Sequence, residues 1–267
     1  MKAIPKEELI DELKKSLLDY CLLLPIIERN EAIETLECYV SSSSKENFIC
    51  YIRYSDGIET IDVNWNQKET EEALELIKRL KNKGYFSKGC FVALYKNERL
   101  MNDLSVDYEL DNIEYIESYH SIKDISLKIK EGIGEFVETT ECELDNEFIN
   151  QSGNHIKIIE RDLKLDPEDN KIIYMLVKEK IIGYIALKRQ YEKIWDVAYI
   201  FVDERYRNRG YATLLCYNAC LTLYEANEIL YYSYCENEAS RAVAKKSGLI
   251  PCAKRYVFRL FDKNSST

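Results

Sequence analysis

The stretch 202–212, Val-Asp-Glu-Arg-Tyr-Arg-Asn-Arg-Gly-Tyr-Ala, constrains this chain more than any other. An apolar, strand-like run from Val197 to Val202 leads into it, and a helix-like run from Thr213 to Glu225 leaves it. Between the two lie Arg205, Arg207 and Arg209 at alternate positions, then Gly210 and the small Ala212. A strand, a short cationic turn and a helix start together form an anion site. The first N–H groups of the helix have no internal partners, its dipole favours negative charge, and small residues let the backbone close on a phosphate. The stretch reads as a phosphate cradle. It is not the nucleotide P-loop, because no Gly-Lys-Ser/Thr follows, nor the dinucleotide fingerprint, because it holds one glycine where three are needed.

The spacing carries a resemblance. Arg207-x-x-Gly210-x-Ala212, five residues after Val202, is similar to the (Gln/Arg)-x-x-Gly-x-(Gly/Ala) motif of the GNAT superfamily of acyl-CoA-dependent N-acyltransferases. A second stretch, Asn237-Glu-Ala-Ser240 followed by Lys245-Lys-Ser-Gly248-Leu249, resembles that family's Asn-x-x-(Ala/Ser)…Lys-x-Gly-Phe helix. It follows an apolar strand-like run, Ile229 to Cys235, and precedes a last strand from Pro251 to Phe261. The order strand, turn, helix, strand, helix, strand is the family's. The other reading of the same pattern is an unrelated βαβ unit with a polar turn.

The 267 residues are too many for one ordinary domain and suit two. The apolar fraction, 46%, allows sizeable cores. No apolar run approaches a membrane span, and Met-Lys-Ala-Ile-Pro-Lys-Glu-Glu is not a signal peptide, so a cytoplasmic location is expected. Nine cysteines are then expected to be free thiols. There is no Cys-x-x-Cys, and the histidines are His120 and His155, so no metal site is expected. Cys216 and Cys220, one helical turn apart, read as lining a buried helix face. Residues 1–125 hold 16 Lys+Arg against 25 Asp+Glu, and so carry most of the net charge of −10. That argues against nucleic-acid binding, which wants a basic face. It suits a cationic amine substrate, and equally an acidic surface kept for solubility.

Taken in order, residues 6–38 read as two helices interrupted at Pro25. Phe48 to Tyr54 and Ile58 to Trp65 alternate about Ser55-Asp56-Gly57, a hairpin signal. Glu69 to Lys83 reads as a helix closed by Gly84, and Cys90 to Tyr95 as a strand. Residues 97–123 give little signal beyond a strand at Ile113 to Ile116. Ile125 to Ile129 reads as a strand, Glu135 to Gln151 as helical, and Asn154 to Asn170 as loop with a short helix. Lys171 to Lys178, Ile181 to Arg189 and Lys193 to Val202 read as three meandering strands. The expected fold is α/β with a mixed sheet. A smaller N-terminal α/β domain of unassigned role spans 1–120 and a GNAT-like acyltransferase domain spans 121–267. The first domain is open to three readings: a degenerate copy of the second half's fold, a substrate-binding cap, or a dimerisation piece.

Acyl transfer from a thioester to an amine needs the cofactor held, a proton removed and an oxyanion stabilised. The resemblance places a coenzyme A pyrophosphate on the backbone of Arg207, Asn208, Arg209, Gly210, Tyr211 and Ala212. It pairs the pantetheine arm of acetyl-CoA with Ile200, Phe201 and Val202, and brings Asn237 and Ser240 to it from the next helix. The arginines of the turn add charge to the phosphates or are simply solvated. As base the resemblance implies Asp196, since histone-type members carry a glutamate on this strand six residues before the valine. A hydrogen-bonded strand aspartate is the competing reading, and Glu192 is a weaker candidate. The family's tyrosine acid, seven residues after the motif asparagine, is here Ala244, so either the thiolate leaves without that help or another group substitutes, for which Tyr234, with Tyr232 on the same strand face, is the candidate. A Cys235 acyl-enzyme has no histidine nearby in sequence to activate it. The function implied is transfer of an acetyl group from acetyl-CoA to a primary amine of a small molecule or peptide by direct attack. An antibiotic-resistance-type enzyme is a variant of it. A catalytically silent acyl-CoA-binding or scaffold module is the alternative.

Overall fold

The computed structural model describes residues 2–29, 32–86, 89–95, 97–121, 134–138, 146–153 and 155–263. The chain divides into two compact units, residues 1–117 with 253–267, and residues 118–252.

In the first unit the order is β1 (Lys2–Ala3), α1 (Lys6–Lys14), α2 (Leu17–Tyr20), α3 (Leu23–Arg29), β2 (Ile33–Val40), β3 (Phe48–Tyr54), β4 (Glu59–Asn64), α4 (Thr70–Asn82), β5 (Cys90–Tyr95), α5 (Glu98–Asp107) and β6 (Tyr108–His120), whose last residues belong to the second unit. The second helix expected from Ile26 to Cys38 is helical only as far as Arg29, and Ile33–Val40 is a strand. Ile33-Glu-Thr-Leu-Glu-Cys-Tyr-Val40 alternates, buries Cys38 and Val40, and pairs antiparallel with β3. Its β-branched and aromatic residues suit a pleated surface better than a helix. Pro25 sits in the first turn of α3, where a missing N–H costs nothing, and so does not interrupt it. The hairpin β3–β4 turns on Gly57, whose φ of 83° is open to glycine without strain. The amphipathic helix α4 lays Ala73, Leu76, Ile77 and Leu80 on Ile49, Tyr51, Ile61 and Val63 of the sheet.

The second unit runs β7 (Glu135–Glu138), α6 (Asn146–Ser152), α7 (His155–Leu165), β8 (Asn170–Val177), β9 (Lys180–Tyr191), β10 (Ile194–Val202), a 3-10 turn (Glu204–Tyr206), α8 (Tyr211–Glu225), β11 (Ile229–Cys235), α9 (Glu238–Lys246) and the start of β12 (Ile250–Asp262). Glu135–Glu138 is a strand against β8 rather than part of a helix. Residues 155–165 form a full helix where mostly loop was expected, because Ile156 and Leu163, seven residues apart, share one buried face. The strand expected at 125–129 lies outside the described residues. Two cores flank the sheet. On one face α8 packs Leu215, Cys216, Ala219, Cys220 and Leu223 against Trp195, Val197 and Val202. Each fully buried leucine contributes about 2 kcal/mol. On the other face, Phe148, Ile156 and Leu163 cover Tyr174, Tyr184 and Phe201.

The two units repeat one element order: a short strand, helices, a three-strand antiparallel meander, a helix, a strand parallel to the third of the meander, and a second helix. The first unit's sheet runs β1-β2-β3-β4-β5-β12, and the second's runs from the end of β6 through β11-β10-β9-β8 to β7. The last strand therefore does not stay with the 121–267 segment. From Ala253 onward it belongs to the first unit, where Arg255–Leu260 pairs with Cys90–Tyr95.

Asp62 sits within the first unit's sheet, with the Tyr95 hydroxyl 3.4 Å from its Oδ1. Burial raises its pKa to about 7, against the opposing pull of the Arg255 charge and the Tyr95 bond. A carboxyl whose folded pKa lies above its unfolded one favours the fold while protonated. That contribution is full below about pH 4 and is lost as pH rises through 7. Asp62→Asn is therefore expected to gain stability over the parent as pH rises, by up to about 4 kcal/mol between pH 4 and 8. Urea unfolding of both proteins at pH 5 and pH 8 checks it; a difference that does not change with pH refutes it.

Candidate active site

The site begins where β10 and β11 part. Their parallel register runs Ile194 to Ile229, Trp195 to Leu230 and Asp196 to Tyr231. Among the described residues it stops there, although β10 continues to Val202 and β11 to Cys235. A bulge between Val197 and Tyr199 in the pairing with β9 kinks β10 at the point of divergence. The far edge of β10 stays zipped to β9, with Ile200 opposite Ile185 and Val202 opposite Gly183. Gly183 is required there, since an added Cβ would come within 2.6 Å of the Phe201 carbonyl oxygen. The result is a gap whose one wall is a strand edge with backbone groups available to a ligand.

At the mouth of the gap Asp203, fully buried, caps the 3-10 turn by accepting the Arg205 N–H at 2.9 Å. Its carboxylate also takes the Arg205 guanidinium, which holds its pKa below the usual carboxylate range. Arg205 is paired as well with Glu147 at 3.0 Å, so it is committed to the turn and not to the cradle. Arg207 donates from Nε to the Val202 carbonyl at 3.0 Å and reaches Glu204 at 3.3 Å. Arg209 lies over the Tyr206 ring. Asn208 (φ 61°) and Gly210 (φ 85°) are left-handed, which turns the chain sharply into α8. Gly210 is the N-cap and offers no side-chain bond, so the amides of Tyr211, Ala212 and Thr213 open onto the cavity that all three line, while Leu214 N–H makes the first helical bond, to Gly210 O. An added Cβ on Gly210 would enter open space.

The cavity here measures about 450 Å³. One wall is the turn, with Val202, Arg207, Asn208, Gly210, Tyr211 and Ala212, six of the residues expected from the sequence, joined by Tyr206 and Thr213. The other wall is a stripe of α9: Ala239, Ala242, Val243 and Lys246. That spacing of three, four and seven residues is one face of a helix. The sequence reading named only Asn237 and Ser240 on this helix, although counting helical turns on from Ala239 would have found the stripe. Ile200, Phe201, Arg209, Asn237 and Ser240 do not line the cavity. The Phe201 ring lies with Phe148 (5.3 Å) and Tyr184 (5.7 Å) in the opposite core, so only its backbone can serve the gap. Asn237 caps α9, its Oδ1 accepting from Ser240 N–H at 2.9 Å and Ser240 Oγ at 3.1 Å.

Asp196 is half-buried at the last rung before the strands part. Its Oδ1 accepts from Ser233 N–H at 3.0 Å and its Oδ2 from Ser233 Oγ at 2.6 Å. Ser233 gave no sequence signal. Tyr234 is 43% exposed, whereas Tyr232 is buried and its pKa is pushed up by that burial. Cys235 and Ala244 are fully buried in the core on the α8 face, and Glu192 is exposed in the β9–β10 turn. A tyrosine at position 244 would have to displace that core.

The first unit's equivalent place is built differently. There β4 and β5 remain paired from Thr60/Phe91 to their ends at Asn64/Tyr95. The N-cap of the following helix is Glu69, with Glu71 and Glu72 in the first turn. The Glu69 carboxylate already accepts from Ser43 Oγ (2.8 Å) and Asn47 Nδ2 (3.0 Å). A closed strand pair and carboxylates at the helix start disfavour a phosphate there.

Residues 135–249 match the sequence model of the acetyltransferase (GNAT) family, and this stretch is a GNAT acetyltransferase domain. No curated protein matches the chain. Solved structures of the same fold include a Drosophila protein (12% identical, covering 97% of both chains, TM-score 0.56). A GCN5-related N-acetyltransferase from Sphaerobacter thermophilus is 11% identical and covers 97% of this chain and 94% of its own, with a TM-score of 0.55. A GCN5-related N-acetyltransferase from Kribbella flavida is 14% identical, covering 80% and 86%, with a TM-score of 0.50. The fold likeness extends over both units. Among the described residues no helix is long and apolar enough to cross a membrane.

Proposed function

We propose that this GNAT domain is a cytoplasmic N-acetyltransferase that moves an acetyl group from acetyl-CoA to a primary amine of a small molecule or peptide by direct attack. The observation that carries the reading is the parting of β10 from β11 beside an uncapped helix start, with one cavity joining the turn to α9. The residues present fit the cofactor. The cradle amides and the room at Gly210 suit a pyrophosphate, and the open edge of β10 at Ile200–Val202 suits an amide-bearing arm. Bound acetyl-CoA would supply an acyl group activated as a thioester.

The chain's own groups do the rest. Asp196, aimed by both bonds from Ser233, receives the proton of the incoming amine at a carboxylate oxygen. Tyr234 holds a proton at its hydroxyl at the open end of β11. Amides of β10 facing the gap stabilise developing negative charge. The first unit, with its closed strand pair and acidic helix start, takes no part in holding the cofactor.

The test is a thermal-shift titration with acetyl-CoA, coenzyme A and ATP in parallel. A ligand bound to the folded state stabilises it by about 2.7 kcal/mol at a hundredfold excess over Kd. Stabilisation by both coenzyme A species and not by ATP is expected. The absence of any shift would refute the cofactor assignment.

A further inference from the structure

The cavity described above has a cationic group that the acyl-transfer reading does not use. Lys246 ends the α9 stripe and lines the cavity together with the turn. Its place is fixed by the residue after it. Ser247 is fully buried, and its Oγ lies between two carbonyl acceptors, Val243 at 2.7 Å and Thr213 at 3.1 Å. Thr213 belongs to the first turn of α8, so this contact ties the C-terminal end of α9 to the helix start whose amides form the cradle.

Most of the neighbouring cations are paired, and Arg209 lies over the Tyr206 ring. Arg205 is paired with Asp203 and Glu147, and Arg207 with the Val202 carbonyl and Glu204. Lys245, next in the chain, lies over the Tyr119 ring. Among the described residues, Lys246 pairs with no carboxylate. An exposed ammonium with no carboxylate partner beside an uncapped helix N-terminus puts two positive features side by side, an arrangement that favours an anion.

We infer that Lys246 is a cofactor-specificity residue: its ammonium meets a phosphate of the bound cofactor, placed there by the Ser247–Thr213 tether. This rests on the coenzyme A reading of the site and deepens it. The lysine gives the cavity a preference for phosphorylated carriers of the acyl group over the same thioester without phosphates. It acts on binding and leaves the chemical step alone.

The experiment is calorimetric titration of the full chain, parent, Lys246→Gln and Lys246→Arg, with three acyl carriers. These are acetyl-CoA, its dephospho form lacking the 3′-phosphate, and S-acetylpantetheine, which has no phosphate. Lys246→Gln is expected to weaken acetyl-CoA about three- to tenfold at low salt, less at high salt, and to leave S-acetylpantetheine unchanged. Lys246→Arg is expected to restore most of the loss. A penalty that vanishes with the dephospho form assigns the 3′-phosphate; one that persists assigns the pyrophosphate. Equal acetyl-CoA affinity in parent and Lys246→Gln, or an equal loss with S-acetylpantetheine, overturns the inference while leaving the site in place. A folded parent that binds none of the three overturns the coenzyme A reading itself.

Discussion

Gly210→Val is expected to weaken acetyl-CoA binding about a hundredfold or more while the chain still folds. The glycine does two things at once. It turns the backbone at φ 85° so that the first amides of α8 face the cavity, and it leaves the space before them empty. Valine would strain the left-handed turn by about 1–2 kcal/mol and fill that space with a branched side chain. Loss of binding alone would not separate the two effects, so Gly210→Asn is the companion variant. Asparagine tolerates the left-handed conformation, as Asn208 two residues earlier already shows at φ 61°. It keeps the turn but still obstructs the cradle. Titration calorimetry should find both variants defective, and urea unfolding should find only the valine variant destabilised. A valine variant that binds acetyl-CoA as the parent does would remove the phosphate from this turn.

What was legible in the sequence divides along physical lines. The cradle was visible because its parts are local: a strand end, an arginine-rich turn, a glycine and a helix start within a dozen residues. The meander and the hairpins were visible because alternation is a property of consecutive residues. The strand at Ile33–Val40 was misread because its apolar residues also fit helical spacing, and pairing with β3 decided the matter. Ser233 was illegible for a similar reason. Its partner Asp196 is far away in sequence, and the parallel register of β10 and β11 alone brings them together. The placement of the last strand was equally hidden, since nothing in Ile250–Asp262 says which of two sheets it will complete. The repeat of one element order in both units had to be seen in three dimensions. The first copy lacks the glycine turn, and its helix begins at Glu69.

That contrast also explains why one copy was readable as a site and the other was not. Both units build a strand, a helix and a second parallel strand. Only in the second does the parallel pair open, after three rungs. In the first, five rungs hold it closed to the strand ends. Motifs report the open form because it alone demands a particular backbone conformation.

Asp196→Asn should lower kcat by about 10²- to 10⁴-fold and leave acetyl-CoA affinity unchanged. The carboxylate stands at the last rung before the strands part, so it is next to the opening without lining the cavity of the cradle. Asparagine has nearly the same shape, and its carbonyl oxygen can still accept one of the two bonds from Ser233, which keeps the local fold. What it cannot do is take a proton from an amine. Turnover would be followed as free thiol released from acetyl-CoA with an amine identified by panel screening. The parent's rate should fall on the acid side of its pH profile, where the carboxylate becomes protonated, and the asparagine variant should lack that limb. Ser233→Ala separates orientation from chemistry. It removes the 2.6 Å hydroxyl bond and retains the backbone one, so kcat should drop by a smaller factor with the acid limb still present. An asparagine variant with the parent's kcat and the parent's profile would make Asp196 a brace for β11, and the amine proton would have to leave by another route.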